Sequence, residues 1–66
     1  MEAESYKGYA IWGHAIFQDG AYAGSGTVTL QNRLIESSGI LDSFDTEDNA
    51  RLVGLEWARA WVDSHG

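Results

Sequence analysis

His14 and Ser25 are the residues whose types could do chemistry, because an imidazole beside a hydroxyl is the start of a nucleophile–base pair. A hairpin predicted around Asp19-Gly20 places them opposite each other. Catalysis would also need a third group to orient the imidazole and donors for an oxyanion. The sequence places no acidic residue beside the pair, and an open sheet face offers no pocket that excludes water. We therefore expect no catalytic residues and interpret the two as a cross-strand surface pair.

A second candidate is the acidic run of Asp42, Asp45, Glu47 and Asp48, since oxygen-rich loops bind calcium or magnesium. The run does not match the calcium-loop template, which needs a glycine at its sixth position and a glutamate at its twelfth. The start of a helix explains the acids through capping and the helix dipole. Gly24-Ser25-Gly26 lacks the lysine and the helix that follow a phosphate-binding loop. We expect no metal and no cofactor.

Length and composition limit the fold to one small domain over residues 1–66. An apolar content of 44% is too high for a disordered chain, and the absence of cysteine excludes a disulfide framework. No apolar run approaches the roughly 18 residues of a membrane span, and the first residues lack the pattern of a secretory signal. These features predict a cytoplasmic protein.

The charge pattern argues against nucleic acid and membrane partners. Ten acidic and four basic residues give a formal net charge of −6 at pH 7. Binding to phosphates needs clustered positive charge. The four bases, Lys7, Arg33, Arg51 and Arg59, are instead spread along the whole chain.

The clearest structural signal is Asp19-Gly20, which predicts a type I′ turn between two strands because both central positions need a positive φ. In the resulting register Ile11 pairs with Val28. Alternation of side chains then defines two faces of the hairpin. The hollow face is apolar at its ends and consists of glycine and alanine in the middle; it carries Tyr9, Ile11, Gly13, Ala15, Phe17, Tyr22, Gly24, Gly26, Val28 and Leu30. The outer face carries Ala10, Trp12, His14, Ile16, Ala23, Ser25, Thr27 and Thr29. A bulge near Gly24–Gly26 would invert part of this assignment.

Beyond the hairpin, Asn32-Arg33 predicts a turn that pairs Leu30 with Ile35, followed by a short third strand from about Leu34 to Glu36. The path of residues 37–44 stays open between a continued strand and a packed loop. In this segment we expect the apolar side chains of Ile40, Leu41 and Phe44 to be buried.

A helix is predicted from about Glu47 to Ser64, with Asp45 or Thr46 as its N-cap. Its apolar stripe, at spacings of three and four, consists of Ala50, Val53, Gly54, Trp57, Ala58, Trp61 and Val62. Two i,i+4 ion pairs are expected on its solvated side, Glu47–Arg51 and Arg59–Asp63.

Together these elements predict an α+β fold: a three-stranded antiparallel sheet with one C-terminal helix packed on one face (β-β-β-α). We expect the helix to cover the hollow face and the indoles of Trp57 and Trp61 to fill its glycine-lined middle.

This arrangement leaves the outer face without a covering layer, so Trp12, His14 and Ile16 form the expected interaction surface. The simplest partner is a second copy of the chain. In the alternative interpretation, the N-terminal residues around Tyr6 cover Trp12. The leading hypothesis is a non-enzymatic protein–protein interaction module that homodimerises through the open sheet face.

Two stretches carry a resemblance to known proteins. Phe44–Ala50 followed by Gly54–Asp63 (the Trp-Ala-Arg-Ala-Trp-Val-Asp helix), together with Tyr6-Lys7-Gly8-Tyr9, resembles small uncharacterised bacterial proteins. That resemblance implies a β-β-β-α domain and no known activity. The Thr46-x-x-x-Ala50 start of the helix gives a looser likeness to HicB-type antitoxin domains. It implies an alternative function, an antitoxin-like regulatory subunit that binds a basic partner protein. A small ligand-binding protein or enzyme using His14 is the last alternative.

Overall fold

The structure, a computed structural model that describes residues 3–65, is an antiparallel sheet with one C-terminal helix. Its elements are β1 (Glu4–Tyr6), β2 (Tyr9–Gln18), β3 (Ala21–Leu30), β4 (Arg33–Ser37), β5 (Asp42–Phe44) and α1 (Glu47–His65). The predicted α+β class and the C-terminal helix are confirmed. The predicted number of three strands was too low, since the sheet has five within the described residues.

The central hairpin of β2 and β3 has the predicted register. Ile11 pairs with Val28 and His14 with Ser25. Asp19 and Gly20 have φ values of 53° and 80°, as a type I′ turn requires. Pairing between β2 and β3 is continuous, so the bulge considered near Gly24–Gly26 does not occur and the two faces stand as assigned.

The first strand that the sequence did not predict is β1. It pairs with β2 through Ser5–Ala10 and Tyr6–Tyr9. Its turn consists of Lys7 and Gly8, which have φ values of 50° and 87°. Lysine rarely takes a positive φ, so this turn carries no clear sequence signal.

The other edge of β3 is shared by β4 and β5. The turn before β4 has Gln31 and Asn32 at its centre, with φ values of 51° and 65°, and it pairs Leu30 with Arg33. The predicted pairing of Leu30 with Ile35 was therefore wrong, because the turn lies one residue earlier. Pairing is irregular between Val28–Glu36 and Thr29–Leu34, which leaves Ile35 as the extra residue of a bulge in β4.

Residues 38–41 connect these two strands along the same edge. The Ser38 N–H donates to the Gly26 carbonyl at 2.9 Å, and the Leu41 N–H donates to the Gly24 carbonyl at 2.8 Å. Of the two predicted paths, residues 38–41 therefore follow the packed loop, and the chain then continues into β5. The expected burial of Ile40 was wrong, since its residue is 59% exposed.

The helix α1 begins at Glu47, where the Asn49 N–H donates to the Thr46 hydroxyl at 3.2 Å. Thr46 is therefore the N-cap. The predicted Arg51–Glu47 ion pair is present at 2.6 Å.

The predicted Arg59–Asp63 pair was wrong, because both side chains contact the N-terminal segment instead. Arg59 binds Glu4 at 2.6 Å, and Asp63 binds Lys7 at 2.8 Å. These ion pairs attach α1 to β1 and to the turn that follows it.

The contact between helix and sheet is built from small residues. The fully buried positions of α1 occur at every fourth residue and are Ala50, Gly54, Ala58 and Val62. A Cβ added at Gly13 would overlap the carbonyl oxygen of Arg51, and one added at Gly54 would overlap the carbonyl oxygen of Ser25. The helix backbone itself therefore lies against the sheet backbone.

This contact corrects the expected role of the two indoles. The helix does cover the hollow face, but its backbone fills the glycine-lined middle. The Trp57 ring borders Gly26, where its Cε3 would lie 2.8 Å from an added Cβ. Trp61 packs edge-on against Tyr9, with ring centroids 6.3 Å apart. Both indoles are half-buried at the border of the core.

Candidate functional site

The outer face of the sheet has no second layer within residues 3–65, because α1, the one helix there, lies on the hollow face. β1, β4 and β5 extend this face on both sides of the central hairpin. Pairing and alternation place these residues on it: Ser5, Ala10, Trp12, His14, Ile16, Ala23, Ser25, Thr27, Thr29, Leu34, Ser37 and Ser43. The predicted surface residues Trp12, His14 and Ile16 lie together in its middle, along β2.

None of these outer-face residues is charged. The four charged residues of the described strands all pair with residues of the hollow face. Glu4 pairs with Ile11 and Arg33 with Leu30; the other two pairs are Glu36–Val28 and Asp42–Gly24. A sheet face in contact with water normally alternates polar and charged residues with the buried set. A neutral face is unusual in a chain with a net charge of −6.

The two aromatic rings on this face are held in fixed orientations. The rings of Trp12 and His14 are parallel within 8°, with centroids 6.4 Å apart. The Trp12 indole N–H donates to the Thr29 hydroxyl at 3.4 Å, and the Thr29 hydroxyl donates to the Ala10 carbonyl at 3.4 Å. These contacts fix the orientations of both rings on the outer face.

His14 does not form a nucleophile–base pair with Ser25. The two residues are opposite in register, but the His14 Nε2 atom forms its hydrogen bond with the Thr27 hydroxyl, at 3.0 Å. Ser25 itself is buried, with 9% of its surface exposed. The geometry makes His14 part of a surface with fixed side chains.

Two large apolar side chains of the outer face are exposed to solvent. Ile16 is 48% exposed and Leu34 is 66% exposed. Leu34 was not named from the sequence as part of the surface, although the predicted Leu30–Ile35 pair puts it on the outer face by alternation; in the structure it pairs with Thr29. Tyr6 pairs with Tyr9 on the hollow face, so it does not cover Trp12 as the alternative interpretation required.

The acids do not assemble into a metal centre. No group of three or more His, Cys, Asp or Glu side chains in the described part of the chain is placed to hold a metal ion. At the start of α1, Arg51 pairs with both Glu47 and Asp48, at 2.6 and 3.7 Å. Asp42 accepts a hydrogen bond from the Ser43 N–H at 2.7 Å. No helix among residues 3–65 is long and apolar enough to cross a membrane.

The main charged cluster lies at the opposite side, between β1 and the end of α1. Asp63 accepts hydrogen bonds from the Lys7 ammonium at 2.8 Å and from the Tyr6 hydroxyl at 2.7 Å. The hydrogen bonds from Lys7 and Tyr6 lower the pKa of the Asp63 carboxyl. The same contacts raise the pKa values of Tyr6 and Lys7. This cluster fastens the N-terminal strand to the helix.

Comparisons of the chain with protein-family models, with curated proteins and with solved structures find no match. The resemblances to small bacterial β-β-β-α proteins and to HicB-type antitoxin domains therefore stay predictions.

Proposed function

We propose that this chain is a non-enzymatic protein–protein interaction module that pairs with a second copy of itself through the outer face. The observation that supports the proposal is that, in an acidic chain, no charged residue of the described strands lies on that face. Depletion of charged residues and enrichment of aromatic ones distinguish the cores of protein interfaces from the rest of the surface.

Charge also favours a second copy as the partner. Two chains of net charge −6 repel each other wherever their acids approach. Contact through two neutral faces keeps the acids of both copies on the far sides of their sheets. A basic partner of the antitoxin-like alternative would find no carboxylate on the outer face and would have to bind elsewhere.

The dimensions of the face suit a small interface. The molecule measures 35 × 20 × 16 Å along its principal axes. The ten residues of β2 give the face a length of about 33 Å, and its width is about 14 Å where three strands pair and about 19 Å where β1 adds a fourth. Contact over most of that rectangle would bury on the order of 500 Å² per copy, or about 1,000 Å² in total, which is at the lower limit for a specific interface. We therefore expect a dimer that dissociates on dilution.

Sedimentation equilibrium over micromolar to millimolar concentrations tests the proposal. The weight-average mass of the wild-type protein should rise from 7.2 kDa towards twice that value. Ile16→Lys should keep the protein monomeric, because it places a buried like charge in each copy of the interface.

Leu52→Lys is the matched control. Leu52 is 50% exposed, close to the 48% of Ile16, but it lies on α1. This variant should associate like the wild type. A wild-type mass that stays at 7.2 kDa over the whole range, or association lost through Leu52→Lys and retained by Ile16→Lys, would contradict the proposal.

A further inference from the structure

A groove opens at the end of the outer face where two turns meet, the Lys7-Gly8 turn and the Gln31-Asn32 turn. We call it the turn-end groove. Its volume is about 410 Å³, and the groove is open to solvent on one side. Its floor and walls include Ser5, Ala10, Trp12, Thr29, Gln31 and Asn32.

The indole of Trp12 forms an apolar wall of this groove. One face of the indole is directed at the parallel His14 ring. Ala10, two positions earlier on the same face of β2, lines the groove together with Trp12. The hydrogen bond to Thr29 holds the indole in this position before any ligand arrives. A preformed aromatic wall reduces the entropy that binding would cost.

The remaining lining is polar and neutral. Gln31 and Asn32 bring two carboxamides, each able to donate and to accept hydrogen bonds, and Ser5 adds a hydroxyl. Among residues 3–65 these three side chains form no hydrogen bond with the protein. No acidic or basic side chain is among the described residues that line the groove.

We propose that the turn-end groove binds a neutral polyhydroxylated ring, the chemistry of a pyranose sugar. The C–H face of such a ring packs on an indole, and its hydroxyls match carboxamides that both donate and accept. An anionic ligand such as a nucleotide finds no cation in the lining and a chain of net charge −6. Because Trp12 lines the groove and also lies on the face proposed for self-association, sugar binding and dimer formation compete, and the groove is open in the monomer.

Titration followed by ¹H–¹⁵N NMR tests the site with four probes: glucose, galactose, mannose and N-acetylglucosamine. At least one should cause saturable shifts of the Trp12 indole N–H and the Thr29 amide. The titration is run on Ile16→Lys, which should stay monomeric and leave the groove open at NMR concentrations. Sugar binding by a variant that does not self-associate would show that the groove binds its ligand whether or not the dimer forms.

Asn32→Gly is the informative variant, because glycine keeps the φ of 65° and removes only the carboxamide. Loss of one hydrogen bond should weaken sugar binding about fivefold or more. Asp19→Gly is the matched control in the equivalent turn at the far end of the hairpin, with a φ of 53°, and should bind like the wild type. Absence of saturable shifts with all four sugars, unchanged affinity in Asn32→Gly, or tighter binding of adenosine monophosphate than of any sugar would overturn the inference.

Discussion

Gly54→Ala tests whether the backbone of α1 rests directly on the sheet. Gly54 lies in the middle of the helix, against the strand segment around Ser25. An added Cβ would overlap the Ser25 carbonyl oxygen, and it would lie 2.6 Å from the carbonyl carbon and 3.2 Å from the Gly13 Cα. These neighbours are backbone atoms of paired strands, which cannot rotate away. The helix would have to move off the sheet.

Two opposing terms set the size of the effect. Forcing an extra carbon into a packed core costs about 1–3 kcal/mol, and a backbone neighbour places this case at the upper end. Replacing glycine by alanine stabilises the helix by about 1 kcal/mol, because alanine has the higher helix propensity. The net loss is about 2 kcal/mol, which is large for a chain of this length, whose total stability is on the order of 3–10 kcal/mol. The melting temperature should fall by about 8–16 °C.

Urea denaturation followed by circular dichroism measures the change in the free energy of unfolding. The measurement is made in the Ile16→Lys background, so that self-association does not add to the apparent stability. Ala60→Gly is the control, because Ala60 is exposed on the same helix and its loss should cost about 1 kcal/mol through propensity alone. Both variants should be destabilised, although the substitutions are opposite. If Gly54→Ala stabilises the protein by about 1 kcal/mol, the close contact does not exist.

Two further predictions concern α1 and its attachment. Thr46→Ala should lower the free energy of unfolding by about 1 kcal/mol, because the Thr46 hydroxyl accepts the Asn49 N–H hydrogen bond. Thr46→Ser keeps a hydroxyl and should retain most of that stability. Equal losses in the two variants, measured by urea denaturation, would argue against the cap. Hydrogen bonds from Lys7 and Tyr6 hold the Asp63 pKa below its ordinary value, so their stabilisation is present above the unfolded-state pKa and is lost as the pH falls through the folded-state pKa. An NMR titration of the side-chain carboxyl in Lys7→Met should show the Asp63 pKa moving up towards its ordinary value, and an unchanged pKa would mean that the contact is not formed in solution.

The parts of the fold that follow from local chemistry could be predicted from the sequence. Asp19-Gly20 satisfies a turn that needs two positive φ values, and that turn alone fixes every pair between β2 and β3. Spacing and capping located α1 to within a residue at its C-terminal end.

The strands that the sequence analysis missed depend on less local information. The turn before β2 uses a lysine at positive φ, and the turn after β3 uses a glutamine there, at Lys7 and Gln31. Neither residue type favours that conformation, so the first turn gave no signal and the second was placed one residue late. β5 forms only through pairing with β3, which requires a partner distant in the sequence.

The glycine-lined middle of the hollow face was predicted correctly, but the group that fills it was not. Glycines on two strands indicated a close approach, and the two tryptophans of α1 were the largest groups available to make it. The missed signal was Gly54, a glycine inside a helix at the level of Gly13 and Gly26. A helical glycine facing strand glycines indicates contact between backbones.

The candidate site was predictable where it depends on β2 and unpredictable at its margins. Alternation along one strand grouped Trp12, His14 and Ile16 correctly on the outer face. The neutrality of the whole face became visible only with the pairing of β1, β4 and β5, which turns Glu4, Arg33, Glu36 and Asp42 to the other side.

Isotope-filtered NOE spectroscopy on a mixture of labelled and unlabelled protein at millimolar concentration tests most directly whether the neutral sheet face is where two copies meet. We expect intermolecular NOEs from the side chains of Trp12, Ile16 and Leu34 to outer-face protons of the second copy. Intermolecular NOEs that arise only from Leu52 and other helix residues, or none at a concentration where the mass doubles, would contradict that claim.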